Sequence, residues 1–379
     1  MNTTPKFHRT LWGHLQSNMD VSYWPVTTDA WKQGRYLDSF FALLDYINPS
    51  LRKTFGNAAQ NEFLVPHGSI IVKISIQGDS IEVNSDFVNI TGALRIPLLR
   101  KVAELNFYPL GLSQIRMSGD NLNFHYRCTL DTGEPFKMYY VLKEICKTAD
   151  QYDDDFREKF KTKNLVEPKV VQCTQQEADQ AWITLKDIIN DTLTFANYFD
   201  SQRWYNQTFD ILNIGLKRID YAVQPQGFIK NEIERVNAEM GNQNTNVMDR
   251  NQYARTLLGQ LQQMPKEQLA KSLYKSEIFV PEKWNLNLEG TQRNLDGFAA
   301  NAQKYLNEQN YIMAVMECLY AFYNLFYSNY VEKHVSDEIN AGLEAASGKN
   351  WNEAAPALVR SIMNVKNGTF QTPSQTWTA

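Results

Sequence analysis

The stretch that decides the fold of the first half of this chain is SIIVKISIQGDSIEVNSDFVNI, from Ser69 to Ile90. Apolar and polar residues alternate on both sides of Gly78-Asp79, as in two strands that each bury one face. Glycine and aspartate tolerate the positive φ angles of a tight two-residue turn. The stretch therefore predicts a β-hairpin.

The sequence around this hairpin predicts further helices and a second hairpin. Residues 28–48 carry apolar residues at steps of three and four and predict one helix. Residues 96–107 predict a short helix with Pro97 in its first turn. Residues 113–130 predict the second hairpin, and residues 134–160 predict a long helix. This order predicts an α+β domain, in which helices cover the apolar face of an antiparallel sheet.

One part of this domain resembles a known family. The segment LNFHYRCTLDTGEPFKMYYVLKEICKTADQYDDDF is similar to the YbjN and type III secretion chaperone-like superfamily, in which a strand, a turn and a long helix carry an alanine-aspartate-x-aromatic segment. Ala149, Asp150 and Tyr152 match that segment. The resemblance covers about residues 28–162. It implies a protein-binding or regulatory module without catalysis, often a homodimer that pairs through its middle helix.

The second half of the chain is larger than that module and has a different pattern of apolar residues. Beyond a polar linker, the periodicity predicts helices and no strand. A polar segment from Glu239 to Gln252 predicts a mobile loop. The predicted organisation is an N-terminal extension (1–27), an α+β domain (28–162), a linker (163–175), a helical domain (176–366) and a loose tail (367–379).

Two segments of the helical half repeat a short pattern. NYIMA (Asn310–Ala314) and NWNEA (Asn350–Ala354) follow the small residues Ala302 and Gly342 at equal distances. A small residue allows two helices to approach closely, and the aromatic residue fills the neighbouring groove. The pattern is similar to tetratricopeptide helical hairpins, and a generic helical bundle is the alternative.

Composition excludes several functional classes. The 379-residue chain is 43% apolar and 21% charged, with a net charge of −4. This acidic balance argues against nucleic-acid binding, which needs a basic face. The sequence shows neither a signal peptide nor an apolar run long enough to cross a bilayer. The four cysteines form no CxxC pair, so we expect a reduced, cytoplasmic protein without a disulfide framework.

The sequence carries no catalytic, cofactor-binding or metal-binding pattern. The five histidines include no HExxH motif, and we expect each to be structural or exposed. His8 and His14 lie in the N-terminal extension, which we expect to be flexible. The acids Asp150 and Asp153–Asp155 spread around a helix, so we expect a solvated face rather than a cation site. We therefore expect no metal and no cofactor.

Candidate residues for binding a protein partner come from apolar and aromatic clusters. The segment LYAFYNLFYSNYVE places aromatic residues around most of a helix, which indicates either a central packed helix or a binding groove. Two adjacent aromatic residues in QRWYNQ indicate a helix junction or a contact surface. The candidates are Leu98, Leu99, Val102, Trp204, Tyr205, Tyr320, Tyr323 and Tyr327.

These observations predict a non-enzymatic protein-binding module with a chaperone, adaptor or regulatory role. The alternatives are an enzyme with a dispersed active site and a structural subunit of a larger assembly. Open sheet edges invite pairing with a second chain. The apolar helix after Pro97 is then expected either to form a homodimer or to be covered by the C-terminal half.

Overall fold

The computed structural model describes residues 2–14, 16–167 and 169–370. The chain divides into two compact units. The first, here called the α+β unit, comprises residues 17–172 and 274–282. The second, here called the helical unit, comprises residues 1–16, 173–273 and 283–379. Each unit is therefore built from separate pieces of the chain.

Among its described residues, the α+β unit has five α-helices and eight strands. Its helices are α1 (Tyr23–Lys32), α2 (Tyr36–Ile47), α3 (Leu51–Phe55), α4 (Arg95–Phe107) and α5 (Pro135–Phe160). Its strands are β1 (Glu62–His67), β2 (Ile70–Gln77), β3 (Ser80–Asn89), β4 (Gln114–Ser118), β5 (Asn121–Thr129), β6 (Lys163–Asn164), β7 (Val170–Gln172) and β8 (Tyr274–Ser276). The main sheet is antiparallel in the order β1-β2-β3-β5-β4, and β6 pairs with one end of β3. Strands β7 and β8 form a separate antiparallel pair.

The two predicted hairpins are present. Gln77 pairs with Ser80 across the first turn, where Gly78 has a φ of +59°. Ser118 pairs with Asn121 across the second turn. Helix α5 packs against the apolar side of β2, β3 and β5. The predictions of both hairpins, the short helix, the long helix and the α+β class are confirmed.

The structure departs from the sequence analysis of this half in three places. Residues 28–48 are not one helix, because Gly34 adopts a φ of +73° between α1 and α2. Strand β1 was not predicted, since its sequence EFLVPH contains Pro66 and does not alternate. Proline is tolerated there because β1 lies at an edge of the sheet. The predicted linker contains β6 and β7.

The helical unit contains nine α-helices and two short strands within its described part. The helices are α6 (Gln175–Ser201), α7 (Tyr205–Val223), α8 (Gly227–Gly241), α9 (Val247–Gln263), α10 (Lys266–Lys271), α11 (Leu288–Asn307), α12 (Tyr311–Ser328), α13 (Lys333–Ala346) and α14 (Trp351–Asn367). The strands β9 (Trp284–Leu286) and β10 (Asn329–Val331) form a parallel pair.

Two predictions for the second half were also wrong. Strands do occur beyond residue 176, but β8, β9 and β10 have three residues each and are too short for a periodicity to reveal. The expected mobile loop is mostly helical. Helix α8 runs to Gly241, and α9 begins at Val247 with the Asn246 side chain accepting a hydrogen bond at its N-terminus.

The repeated pattern marks two helical hairpins, α11–α12 and α13–α14. Asn310 and Asn350 are the N-cap residues of α12 and α14. A Cβ atom on Gly342 would lie 2.4 Å from the Cβ atom of Ser361. The small residue therefore permits the close approach that the sequence predicted. Helix α12 packs against α7, α11 and α14, which confirms it as a central helix.

The start of the chain is ordered against the helical unit. The Thr4 amide donates to the Lys349 carbonyl at 2.8 Å, and Thr3 forms an isolated antiparallel bridge with Asn350. The expectation of a flexible start was therefore wrong. At the other end, α14 stops at Asn367, and residues 371–379 of the predicted tail lie outside the described residues.

Candidate functional site

Helix α4 carries apolar side chains on two faces. Leu98, Val102 and Leu105 are buried in the core of the α+β unit. Leu99 is 41% exposed and Ile96 is 71% exposed. Two of the α4 candidates therefore stabilise the fold, and Leu99 is the candidate that remains at the surface.

The exposed face of α4 belongs to a larger apolar surface. Ile96, Leu99, Ala103 and Phe107 follow one another at steps of three and four, so they share one side of the helix. Phe107 is 90% exposed. We call the following set of exposed side chains the α4–β4 surface: Leu94, Ile96, Leu99, Phe107, Tyr108, Leu112 and Met117. Exposed apolar clusters of this kind mark interaction sites.

Side chains cap the adjoining sheet edge at two positions. The Ser113 amide donates to the Glu144 carboxylate at 3.1 Å. The Ile115 amide donates to Asn106 Oδ1 at 2.7 Å, and Asn106 Nδ2 donates to the Ile115 carbonyl at 3.0 Å. The outer side of β1 is likewise bridged to the segment after α3. At Ser113 and Ile115 the β4 edge is therefore capped by side chains, and the prediction of open edges does not hold at these positions.

The aromatic candidates of the helical unit occupy three different settings. Trp204 lies at the junction of α6 and α7, where its ring stacks on Phe199 at 6.0 Å. Tyr205 opens α7 and is 40% exposed. Tyr323 is buried in the core. The structure therefore does not bring the aromatic candidates together into one groove.

Tyr320 and Tyr327 border a buried lysine. Their ring centroids lie 5.5 and 5.4 Å from Lys217 Nζ. Lys217 Nζ also donates to Asn213 Oδ1 at 2.6 Å and to Asn324 Oδ1. Burial lowers the pKa of Lys217 to about 8. No sequence pattern pointed to this lysine, since its neighbours come from two separate helices.

A buried acidic cluster connects α5 with the turn between β1 and β2. Asp150 Oδ1 accepts hydrogen bonds from the Ser69 amide at 2.6 Å and the Ser69 hydroxyl at 2.8 Å. A Cβ atom on Gly68 would lie 2.0 Å from Asp150 Oδ1. Asp153 is 4% exposed, and burial together with the nearby Asp150 raises its pKa to about 7. The expectation of a solvated acidic face was therefore wrong for these two residues.

The same cluster places metal-ligand types close together but does not suit a metal. Candidate ligand atoms of His67, Asp150 and Glu282 lie within 4.8 Å of one another. However, His67 Nδ1 accepts a hydrogen bond from the Phe279 amide at 3.1 Å. The neutral ring then carries its proton on Nε2, so neither nitrogen has a free lone pair for a metal.

A cavity of about 270 Å³ lies within the helical unit. Lys283 Nζ is 3.2 Å from Asp220 Oδ2, and Lys333 Nζ is 2.6 Å from Asp337 Oδ2. These four lining charges are therefore paired with one another. Arg9, which pairs with Glu344, also lines the cavity, so the charged lining comprises three cationic and two anionic side chains.

The polar residues of this cavity do not form a nucleophile and base pair. His14 forms its hydrogen bond with the Val331 carbonyl. The Ser336 hydroxyl accepts from Asn340 Nδ2 at 3.4 Å. A serine nucleophile needs a base within hydrogen-bond reach, and the Ser336 hydroxyl bonds to Asn340 rather than to His14.

Comparisons with known proteins add no relative. No family model, curated protein or solved structure matches this chain. Within the residues that the structure describes, no helix has both the length and the apolar character needed to cross a membrane.

Proposed function

We propose that this protein is a non-enzymatic protein-binding module of chaperone, adaptor or regulatory type, and that it pairs with a second copy of itself through the α4–β4 surface. The observation that carries the proposal is the exposed apolar stripe of α4. The four cysteines are free thiols, which supports action in a reducing compartment such as the cytoplasm.

A second copy is the occupant that we propose, because the chaperone-like family that the α+β unit resembles often pairs through its middle helix. Arg100 and Glu104 are exposed and border the stripe of Ile96, Leu99 and Phe107, and Glu104 also pairs with Lys101 of its own chain at 2.6 Å. In an antiparallel pair of α4 helices related by a two-fold axis, Arg100 of each copy lies beside Glu104 of the other. A two-fold contact repeats every favourable interaction, so a short helix suffices to build a large interface.

Substitutions at the exposed stripe test the proposal. Ile96→Glu combined with Phe107→Glu places charges at positions that are exposed in the single chain, so folding is preserved. We expect the mass measured by sedimentation to fall from that of a dimer to that of one chain. Val21→Glu is the matched control, because Val21 is 64% exposed in the α+β unit outside this surface. A double variant that keeps the wild-type mass would contradict the proposal.

A charge reversal tests the two-fold geometry more closely. Arg100→Glu alone places like charges across the axis and is expected to weaken pairing. Adding Glu104→Arg restores opposite charges and is expected to recover it. Failure of the second substitution to recover any association would contradict the antiparallel arrangement.

A further inference from the structure

The segment of residues 3–12, here called the strap, occupies a groove on the helical unit, with a single β-bridge at Thr3 and a turn at residues 11–12. The Thr4 amide donates to the Lys349 carbonyl at 2.8 Å, and the Leu11 amide donates to the Ala222 carbonyl at 2.9 Å. The Phe7 amide donates to Ser347 Oγ at 2.9 Å. These three bonds start from backbone amides, so this part of the recognition does not depend on the side chains of the strap.

The groove also makes specific contacts with several side chains of the strap. Thr4 is 3% exposed, and its hydroxyl donates to the Ala346 carbonyl at 2.5 Å. Phe7 and Leu11 pack against the hydrophobic core of the unit. Trp12 Nε1 donates to Glu177 Oε1 at 3.1 Å. The groove therefore fits a small hydroxyl residue followed by apolar residues three and seven positions later.

The rim of the groove is acidic and the strap is basic. Asp187 lies 3.3 Å from Lys6 Nζ and 3.0 Å from His8 Nε2. Arg9 pairs with Glu344. This charge complementarity favours a basic segment over a neutral or acidic one.

The floor of the groove requires a carbonyl group from its occupant. Arg218 is 2% exposed, and its Nη2 donates to the Lys6 carbonyl at 2.5 Å and to Asp191 Oδ2 at 2.8 Å. A buried guanidinium is costly unless its donors are satisfied. A carbonyl of an extended backbone satisfies this donor whether it belongs to the strap or to another chain.

We propose that this groove is a binding site for an extended basic peptide segment of a partner protein, and that the strap occupies it in competition with that segment. The partner segment carries a small hydroxyl residue, two spaced apolar residues and intervening Lys or Arg residues. Because the strap is tethered, it competes at a high effective concentration. Binding of the partner segment then releases the strap. The proposal concerns a different surface from α4–β4 and does not depend on dimerisation.

The test uses the full-length chain and a fluorescent peptide of residues 2–13. Phe7→Asp with Leu11→Asp in the chain weakens the strap and leaves the groove residues unchanged. We expect this variant to bind the peptide at least about tenfold more tightly than the wild type, since the tethered competitor is lost. A peptide with the same two substitutions is the control for apolar selection, and one with Lys6→Glu and Arg9→Glu is the control for charge. Both controls are expected to bind at least about tenfold more weakly.

A folded strap variant that binds the peptide no better than the wild type would overturn the proposal, and so would equal binding of the control peptides. If the variant does not fold, hydrogen exchange of the wild-type chain tests whether the peptide displaces the strap. Excess unlabelled peptide is expected to speed exchange at the Thr4, Phe7 and Leu11 amides. Unchanged exchange at millimolar peptide, where it rivals the tethered strap, would also overturn the proposal.

Discussion

Asp153 shows how burial converts an ordinary helix residue into a titrating group. Its carboxyl group lies beside Asp150 and away from solvent, and its pKa rises from 3.8 to about 7. The folded protein therefore holds a proton that the unfolded chain releases at lower pH. The contribution of the Asp153 carboxyl group to the free energy of unfolding is therefore fully present below about pH 4. It is lost as the pH rises through about 7.

Asp153→Asn removes this titration and keeps a polar side chain for Ser69. We expect the variant to be more stable than the wild type near pH 7.5, and the gain to shrink toward pH 4.5. Urea unfolding at the two pH values measures both effects. An equal change in stability at both pH values would contradict the raised pKa.

Lys217 has the opposite dependence on pH. Its folded pKa of about 8 lies below the ordinary 10.5, so the folded state favours the neutral amine. The contribution of Lys217 to stability is then expected to rise as the pH increases from about 8 to about 10.5. Lys217→Met removes this contribution, so the stability of the wild type relative to the variant should rise across that range, as measured by urea unfolding of both proteins. Lys304→Met, at an exposed position of α11, is the control, and the wild type should show no such rise relative to it.

The contact between α13 and α14 depends on a glycine. A side chain at position 342 meets Ser361 within 2.4 Å, so the two helices must separate. We expect Gly342→Ala to destabilise the protein by about 1–3 kcal/mol in urea unfolding.

Gly297→Ala is the matched control for this contact. Gly297 lies inside α11 with no atom within 4 Å of an added Cβ. Alanine is more favourable than glycine inside a helix by about 1 kcal/mol, so this variant should be more stable than the wild type. Destabilisation of both variants to the same extent would show that the α13–α14 contact is not the cause.

Elements with a clear period were predictable from sequence, and short or interrupted elements were not. The alternation in β2 and β3 and the apolar stripe of α5 gave the correct types because each spans at least eight residues. Periodicity could not predict β8, because this strand has only three residues, which pair with β7. The break between α1 and α2 depends on the backbone angle of Gly34, which the helical pattern on both sides conceals.

The candidate site was predictable only in part. The apolar composition of α4 drew attention to this helix, but periodicity alone does not decide which of its two apolar faces is buried. The structure buries Leu98 and exposes Ile96 and Phe107. The strap was missed because its polar sequence has no period, and its order comes from hydrogen bonds to distant residues such as Ala346 and Lys349.

The oligomeric state of the protein depends on whether two copies pair through the α4–β4 surface, as we propose. One chain has a mass of 43.8 kDa. The most direct test is static light scattering of the wild-type protein across micromolar concentrations. We expect a mass about twice that of one chain, falling toward the single-chain value on dilution. A mass of 43.8 kDa at every concentration would contradict the proposed pairing of two copies.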